Sequence, residues 1–364
     1  MALNRLADVA AASFARHETF APRFGWLHKA YAAVKEDKTV FLDKSAPVTL
    51  GVGKNMVNAM RYWAQAFNLT IEYPIGGTSR AMAAAPTWEA YWLLDEDGAD
   101  PYLEDPASLW VLHWWLLSPE TLAPTWWVAF HSLPTSRFTE AELSDVVTRQ
   151  VRLSDWDPPV SSSVVKDVDC LTKMYAPRKA NPGSPGSFED LLDCPFRELG
   201  LLESIDSVAG GRRTWRFTST ARSTLPPAVA AYACLDYAAQ TTAHEADSVA
   251  SGGSISLARL ASEPGSPGRA FRIREPALAQ LLEEACRSRP ELRLSTLVGR
   301  RSLVYPENHR ELAWSILDSH YGGVRQRPGF QTRGEWTSEH PGLLQARGRG
   351  RLSAARVAGK ADVA

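Results

Sequence analysis

Between Leu50 and Leu69 the chain reads Leu-Gly-Val-Gly-Lys-Asn-Met-Val-Asn-Ala-Met-Arg-Tyr-Trp-Ala-Gln-Ala-Phe-Asn-Leu. A glycine-punctuated turn is followed by apolar positions at helical period. Met56, Met60, Trp63 and Phe67 fall on one stripe, with Val57 and Ala64 beside them. Lys54, Asn55, Asn58 and Arg61 fill the rest of the helix, and these side chains suit phosphates and base edges. On pattern alone an ordinary amphipathic surface helix is the favoured reading; the neighbouring elements shift it towards a recognition helix. A helix is predicted before it, from about Trp26 to Lys35, with Leu27, Ala30, Tyr31 and Val34 inward. A short extended piece is predicted at Thr39–Leu42, and a strand at Thr70–Tyr73 that turns at Gly76-Gly77. Helix, turn, helix and hairpin in that order predict a winged helix-turn-helix.

The pattern then changes character. Asp105 before Pro106 is an N-cap followed by proline at the first helical position, and Leu109–Leu117 is apolar on all sides, so this helix is predicted to be buried. His113 inside it reads as a satisfied core histidine. Thr139-Glu-Ala-Glu142 is a capping box that leads Leu143, Val146 and Val147 into a second helix-turn-helix pattern. Its second helix runs from Ser161 to Tyr175, and strands are expected at Leu199–Ser204 and Arg213–Thr218 around Gly210-Gly211. A short helix is placed at Phe188–Leu192. Residues 225–320 read as mainly helical, over Pro226–Ala239, Ile255–Leu260, Pro276–Arg287 and His309–His320.

Together these elements predict an α+β fold, predominantly helical, with two winged helix-turn-helix-like units around a tryptophan-rich helical core and a helical C-terminal region. The boundaries are 14–80 for the first unit, 81–135 for the acidic core, 136–222 for the second unit, 223–322 for the C-terminal region and 323–364 for a disordered basic tail.

Composition is that of a globular protein, with 45% hydrophobic and 22% charged residues, and no apolar run is long enough to span a bilayer. Cys170, Cys194, Cys234 and Cys286 lie far apart, with neither C-x-x-C spacing nor a histidine at metal spacing. That argues against a structural zinc and, with no signal peptide in view, for a bacterial cytoplasm. A net charge of −1 does not announce a nucleic-acid binder, but the charges are segregated. Residues 1–80 hold ten Lys/Arg against six Asp/Glu, residues 81–120 hold eight acids and no Lys or Arg, and residues 325–364 hold eight basic against three acidic side chains. Such a chain can offer one face to DNA and keep another for a cation or a partner.

The DNA-binding candidates are Arg23, Lys54, Asn55, Asn58 and Arg61 in the first unit. In the second they are Ser161, Ser162 and Ser163 at a helix start, where free amides add to the hydroxyls, with Lys166, Lys173, Arg212 and Arg213. Phosphodiester cleavage usually calls for carboxylates around a divalent ion, or for a Tyr or His nucleophile. No D…[DE]-x-K, H-N-H-like or paired H-x-H constellation stands out. The catalytic candidates are therefore Asp100, Glu104 and Asp105, which would share a face if residues 100–105 were helical; capping a helix start and solvating a turn is the simpler role for the same three. Asp167 and Asp169 are two residues apart, point away from each other on a helix, and suit neighbouring cations better than a shared metal. Pro182–Ser187 and Pro264–Arg269 are near copies of one glycine-serine-proline loop, which is turn chemistry and not a P-loop.

Several longer motifs carry a resemblance. They are His17-Glu-Thr-Phe-x-Pro-Arg-Phe-Gly-Trp-Leu27, Leu50-Gly-Val-Gly-Lys-Asn-Met56 with Arg61-Tyr-Trp63, Gly98-x-Asp-Pro-Tyr-Leu-Glu-Asp105, Leu109-Trp-x-Leu-His113, Lys166-Asp-Val-Asp-Cys-Leu171 and Pro264-Gly-Ser-Pro-Gly-Arg269. Over residues 14–322 the chain resembles the SspB-like DNA nickase family of the Ssp system, which places sulfur in one strand of the DNA backbone for anti-phage defence. The resemblance implies an endonuclease that nicks one strand of double-stranded DNA with a divalent cation, Mg or Mn. It also implies work beside a cysteine desulfurase, an ATPase and an ATP-pyrophosphatase-like protein. The residues by themselves favour another reading, a non-catalytic winged-helix module that recognises the site and recruits the sulfur-insertion machinery.

Overall fold

The computed structural model describes residues 5–75, 81–177, 194–205, 213–218, 222–242 and 252–347. It is an α+β protein of many helices and small antiparallel sheets. Helix α1 (Trp26–Glu36) buries Trp26, Leu27, Ala30, Tyr31 and Val34. Helix α2 (Ala46–Leu50) ends at Gly51, whose φ of 63° turns its N–H back onto the last carbonyls. Helix α3 (Lys54–Ala66) follows, with Met60, Trp63 and Phe67 fully buried along the stripe its sequence predicts. Strands β1 (Thr70–Pro74) and β2 (Met82–Pro86) pair antiparallel; the Gly76-Gly77 turn lies outside the described residues. The extended piece expected at Thr39–Leu42 is a 3₁₀ turn over Val40–Leu42. The cause is Asp37, whose Oδ1 accepts both the N–H and the hydroxyl of Thr39 and bends the backbone locally.

The centre is built on tryptophan. Helix α4 (Trp88–Leu94) is capped by Thr87, and α5 (Pro106–Leu117) is capped by Asp105 and buried on every side. Indoles this deep are tolerable because their N–H groups find acceptors. Trp92 donates to Asp318 Oδ1, Trp110 to Thr224 Oγ1, Trp114 to Asp236 Oδ2 and Trp115 to the Tyr232 hydroxyl. His113 is a satisfied core histidine, as its sequence context predicts, at 2.8 Å from the Tyr175 hydroxyl and 2.9 Å from the Ala270 carbonyl. Burial pushes its pKa down to about 3, although the Ala270 bond opposes the shift.

The remaining elements repeat one order. Helix α6 (Pro124–Trp127), continued by a π turn at Val128–Ser132, leads into β3 (Arg137–Thr139), α7 (Glu140–Leu153), α8 (Ser161–Tyr175), β4 (Leu202–Ile205) and β5 (Thr214–Phe217). The capping box at Thr139 and Glu142 is formed in full. The sheet order is β3-β5-β4, so the last strand closes back on the first. The expected helix at Phe188–Leu192 and the turn at Gly210-Gly211 fall outside the described residues. Next come α9 (Pro227–Thr242), β6 (Gly253–Ser256), α10 (Leu257–Ser262), α11 (Pro267–Phe271), α12 (Glu275–Ser288), β7 (Arg293–Leu297), β8 (Arg300–Tyr305) and α13 (His309–His320). Their sheet order is β6-β8-β7, the same closure again. The N-terminal residues follow a reduced version of this plan, in which the Lys38 carbonyl takes the place of a first strand and accepts from Ala84 N of β2 at 2.8 Å.

Two expectations change here. The region 225–320 is mainly helical as expected, but it also holds a small sheet: Ile255 belongs to β6 and a hairpin occupies 293–305. The chain is not structureless directly after Gly323. Helix α14 (Arg333–Glu339) opens with a capping box at Thr332 and Glu335, and α15 (Pro341–Arg347) follows it. Aromatic anchors hold this segment to the body. Trp336 and Phe330 stack on Tyr91, with centroids 4.2 and 4.6 Å away, and a Cβ at Gly342 would strike the Tyr73 ring. Residues from 348 onward lie outside the described part. No helix among the described residues is long and apolar enough to cross a membrane.

Candidate nucleic-acid interface

The acidic turn is built by backbone amides in need of acceptors. Asp100 is buried, and its Oδ1 accepts Glu104 N at 2.9 Å while Oδ2 accepts Asp105 N at 2.9 Å and Ser108 Oγ at 2.6 Å. Asp105 caps α5 through Ala107 N at 2.8 Å, and its other oxygen lies 2.9 Å from His320 Nε2. Glu104 is exposed beside them. Residues 100–105 form a turn and not a helix, with Leu103 at φ 55°. What this arrangement does chemically is satisfy the first turn of the central helix.

Asp167 is equally occupied. It is buried and binds His17 Nε2 at 2.9 Å, Ala15 N at 2.7 Å and Thr125 Oγ1 at 2.8 Å. Asp169, on the other side of α8, pairs with Lys173 at 2.6 Å. Among the described residues no group of three His, Cys, Asp or Glu side chains is placed to hold a metal ion.

The cationic candidates divide into those that face solvent and those already engaged. Lys54, Asn55 and Asn58 are exposed at the start of α3, with Asn58 reaching Glu18 at 3.4 Å. Arg61, one turn on, is held by Glu72 of β1 through two bonds of 2.5 and 2.9 Å, and Gln65 joins the same carboxylate. Arg23 lies over the rings of Phe20 and Trp26. At the start of α8, Ser161 and Ser162 are exposed, Ser163 is half-buried, and Lys166 is exposed one turn further along. Arg213 is exposed with its guanidinium 5.4 Å above the Trp215 ring, whereas Arg212 lies outside the described residues.

Two polar surfaces have no counterpart among the sequence candidates. One is a cleft of ≈ 280 Å³ between the π turn and the Pro264–Arg269 loop, lined by Arg5, Trp127, His131, Ser132, Gln150 and Arg269. His131 forms its floor with both ring nitrogens buried and without a hydrogen-bond partner, and burial next to Arg272 and Arg269 holds its pKa well below that of a free histidine. A π turn is invisible to a 3.6-residue reading, which explains why His131 escapes it. The other is the β7–β8 hairpin, which carries Arg293, Arg300 and Arg301. Its turn is Val298-Gly299, without the Asn-Gly or Asp-Gly signal by which such hairpins are recognised.

Fold and surface together define a helical α+β protein in which one helix–helix–hairpin plan recurs, with cationic and amide side chains on helix starts and hairpins. Comparison gives that class its family. Residues 14–321 match the family described as a protein of unknown function, DUF4007, and the chain belongs to it. A crystal structure of SspB is 55% identical, covers 96% of this chain and 99% of its own, and superimposes with a TM-score of 0.86. A magnesium ion-bound SspB crystal structure is 54% identical over the same shares, with a TM-score of 0.87. The chain is therefore SspB-like over nearly its whole length. No curated protein matches it.

Proposed function

We propose that this protein is a DNA-binding component of the Ssp phosphorothioation system that nicks one strand of duplex DNA. The observation that carries the reading is the 55% identity to SspB over 96% of the chain. The recurring order of helices closed by a hairpin supports the DNA-binding half, because it is the order of a winged helix-turn-helix. In this reading Lys54, Asn55 and Asn58 of α3 enter or border the major groove. Ser161, Ser162 and Lys166 at the start of α8 take phosphate oxygens, and Arg213 follows the backbone from its hairpin. The other Ssp proteins, a cysteine desulfurase, an ATPase and an ATP-pyrophosphatase-like protein, are its expected partners.

The SspB relative that binds magnesium favours a divalent cation for the cleavage. The described side chains do not fit one well, since no three ligands converge and Asp100 spends both oxygens on the turn. No step is therefore routed through a metal. That same observation favours the second reading, a winged-helix module that finds the site for the sulfur-insertion machinery and does not cleave.

Supercoiled plasmid separates the two. The purified protein is incubated with Mg²⁺ or Mn²⁺, with and without EDTA, and open-circular product is scored alongside duplex binding by fluorescence anisotropy. Nicking that EDTA abolishes supports the nickase; binding without open circles under either metal leaves the recruiting module. Retention of nicking in Glu104→Gln and Asp105→Asn removes those carboxylates from the chemistry without touching the activity itself.

A further inference from the structure

The β7–β8 hairpin has an unusual tip. Its strands are in register from Arg293 opposite Val304 to Leu297 opposite Arg300, which leaves a two-residue turn of Val298 and Gly299. Both turn residues have positive φ, 49° and 75°, the pattern of a type I′ turn. Asparagine or glycine occupies the first of these positions at little cost; a β-branched valine there is strained. The strained residue is also in water, because Val298 is 93% exposed and the adjacent Leu297 75% exposed. Neither the stability of the hairpin nor its hydration gains from this choice of residues.

The surroundings say what the tip meets. Arg300 is exposed directly opposite Leu297 at the tip, Arg293 is exposed at the far end of β7, and Arg301 pairs with Glu283 of α12. Helix α12, which occupies the place of α3 and α8 in its own repeat, exposes Glu283 and Glu284. Glu283 is already paired with Arg301, and at the hairpin tip a cation and an apolar point lie side by side. An apolar point with a cation beside it and another further down the strand matches a duplex, where phosphates flank stacked bases and side chains such as Leu or Ile can part a base step from the minor groove.

We infer that the β7–β8 hairpin is a DNA wedge: Leu297 and Val298 press against a base step while Arg300 beside them, and Arg293 at the base of the hairpin, hold backbone phosphates. The inference rests on the DNA-binding reading and assigns the duplex distortion to one hairpin.

The test uses the full-length protein and a duplex of about 30 base pairs labelled at both ends, so that bending raises energy transfer wherever it occurs. Wild type is compared with Leu297→Ser/Val298→Asn, in which asparagine keeps the positive φ at no strain, and with Arg300→Gln. The wedge predicts that wild type raises energy transfer on binding and that the double variant loses most of this signal. It also predicts a drop in affinity of about tenfold for the double variant, while its melting temperature stays the same or rises. Arg300→Gln should lower the salt slope of binding by about one unit. Because the tip is exposed, misfolding does not confuse the outcome; circular dichroism confirms it. Equal bending and affinity in the double variant overturn the wedge while leaving DNA binding intact, and absence of any duplex binding by wild type overturns both. A sedimentation shift from oligomer to monomer in the double variant, with bending unchanged, reassigns the tip to self-association.

Discussion

The acidic, tryptophan-rich centre and the repeats around it use charge in opposite ways. In residues 81–120 the carboxylates before α5 serve the fold: Asp100 is buried and consumed by the amides and hydroxyl of its turn, and Asp105 is spent on capping α5 and on His320. At the start of α3 and α8 the polar side chains turn outward, and Lys54, Asn55, Ser161, Ser162 and Lys166 meet solvent. A helix start inside the core must find an acceptor for its orphan N–H groups within the protein, whereas one at the surface leaves them to water or to a ligand. Polar side chains at a helix start therefore serve structure in one region and remain available at the surface in the other. Burial of the neighbouring backbone decides which.

Asp100→Ala is the sharpest way to break this contrast. It strips three hydrogen bonds from a buried turn and should cost about 3 kcal/mol, read from denaturant unfolding. Duplex affinity of the protein that remains folded should not change. A cost near zero, with loss of nicking, would return Asp100 to the chemistry.

Acid should open the centre before it affects the surface. Burial pushes the pKa of His113 from the ordinary histidine value of 6.5 down to about 3, so the folded protein binds fewer protons between those values than the unfolded chain. Stability at neutral pH is therefore lost as pH falls below about 6.5, by about 1.4 kcal/mol per unit, until the folded value is reached. Burial shifts His131 in the same direction. Thermal melts from pH 7 to pH 4 should show this limb, and His113→Gln should flatten it. An unchanged limb would show that His113 does not carry it.

At the surface, Lys54→Ala with Asn58→Ala should weaken duplex binding about tenfold and make it less dependent on salt, with no loss of stability. Arg61→Ala should do the reverse. Its ion pair with Glu72 is partly buried, and removal should cost about 1 kcal/mol of stability while affinity holds, as anisotropy and denaturant melts on one preparation would show. If Arg61→Ala lowers affinity as much as Lys54→Ala, the Glu72 contact gives way on DNA, and the division between engaged and available cations fails at that point.

Helices with a clear stripe or cap were legible in advance. Met60, Trp63 and Phe67 are where the period of α3 puts them, Ser161–Tyr175 is a helix as written, and the Thr139–Glu142 capping box forms. The β7–β8 hairpin was not legible, because Val-Gly is no turn signal and Arg293, Arg300 and Arg301 mask the alternation of Leu294, Leu303 and Tyr305. The segment after Gly323 misled through its composition, since single aromatic anchors such as Trp336 outweigh a polar background. Among the site candidates, the exposure of Lys54 and Lys166 follows from helical geometry, while the engagement of Arg61 required a partner eleven residues away on another element.

The sequence by itself determined the helices, their caps, the buried aromatic centre and the family, because these depend on neighbours three or four residues apart or on long contiguous motifs. Tertiary structure alone decided the closure of the two larger sheets, with β5 returning to β3 and β8 to β6, and it decided which charges are engaged and which face solvent. Strand pairing and ion pairing join residues distant in the chain, and no local period records them. The strained, exposed Val298 belongs to that second group. As a residue it is an unremarked valine; only the register of two paired strands places it at a positive φ and out in the water.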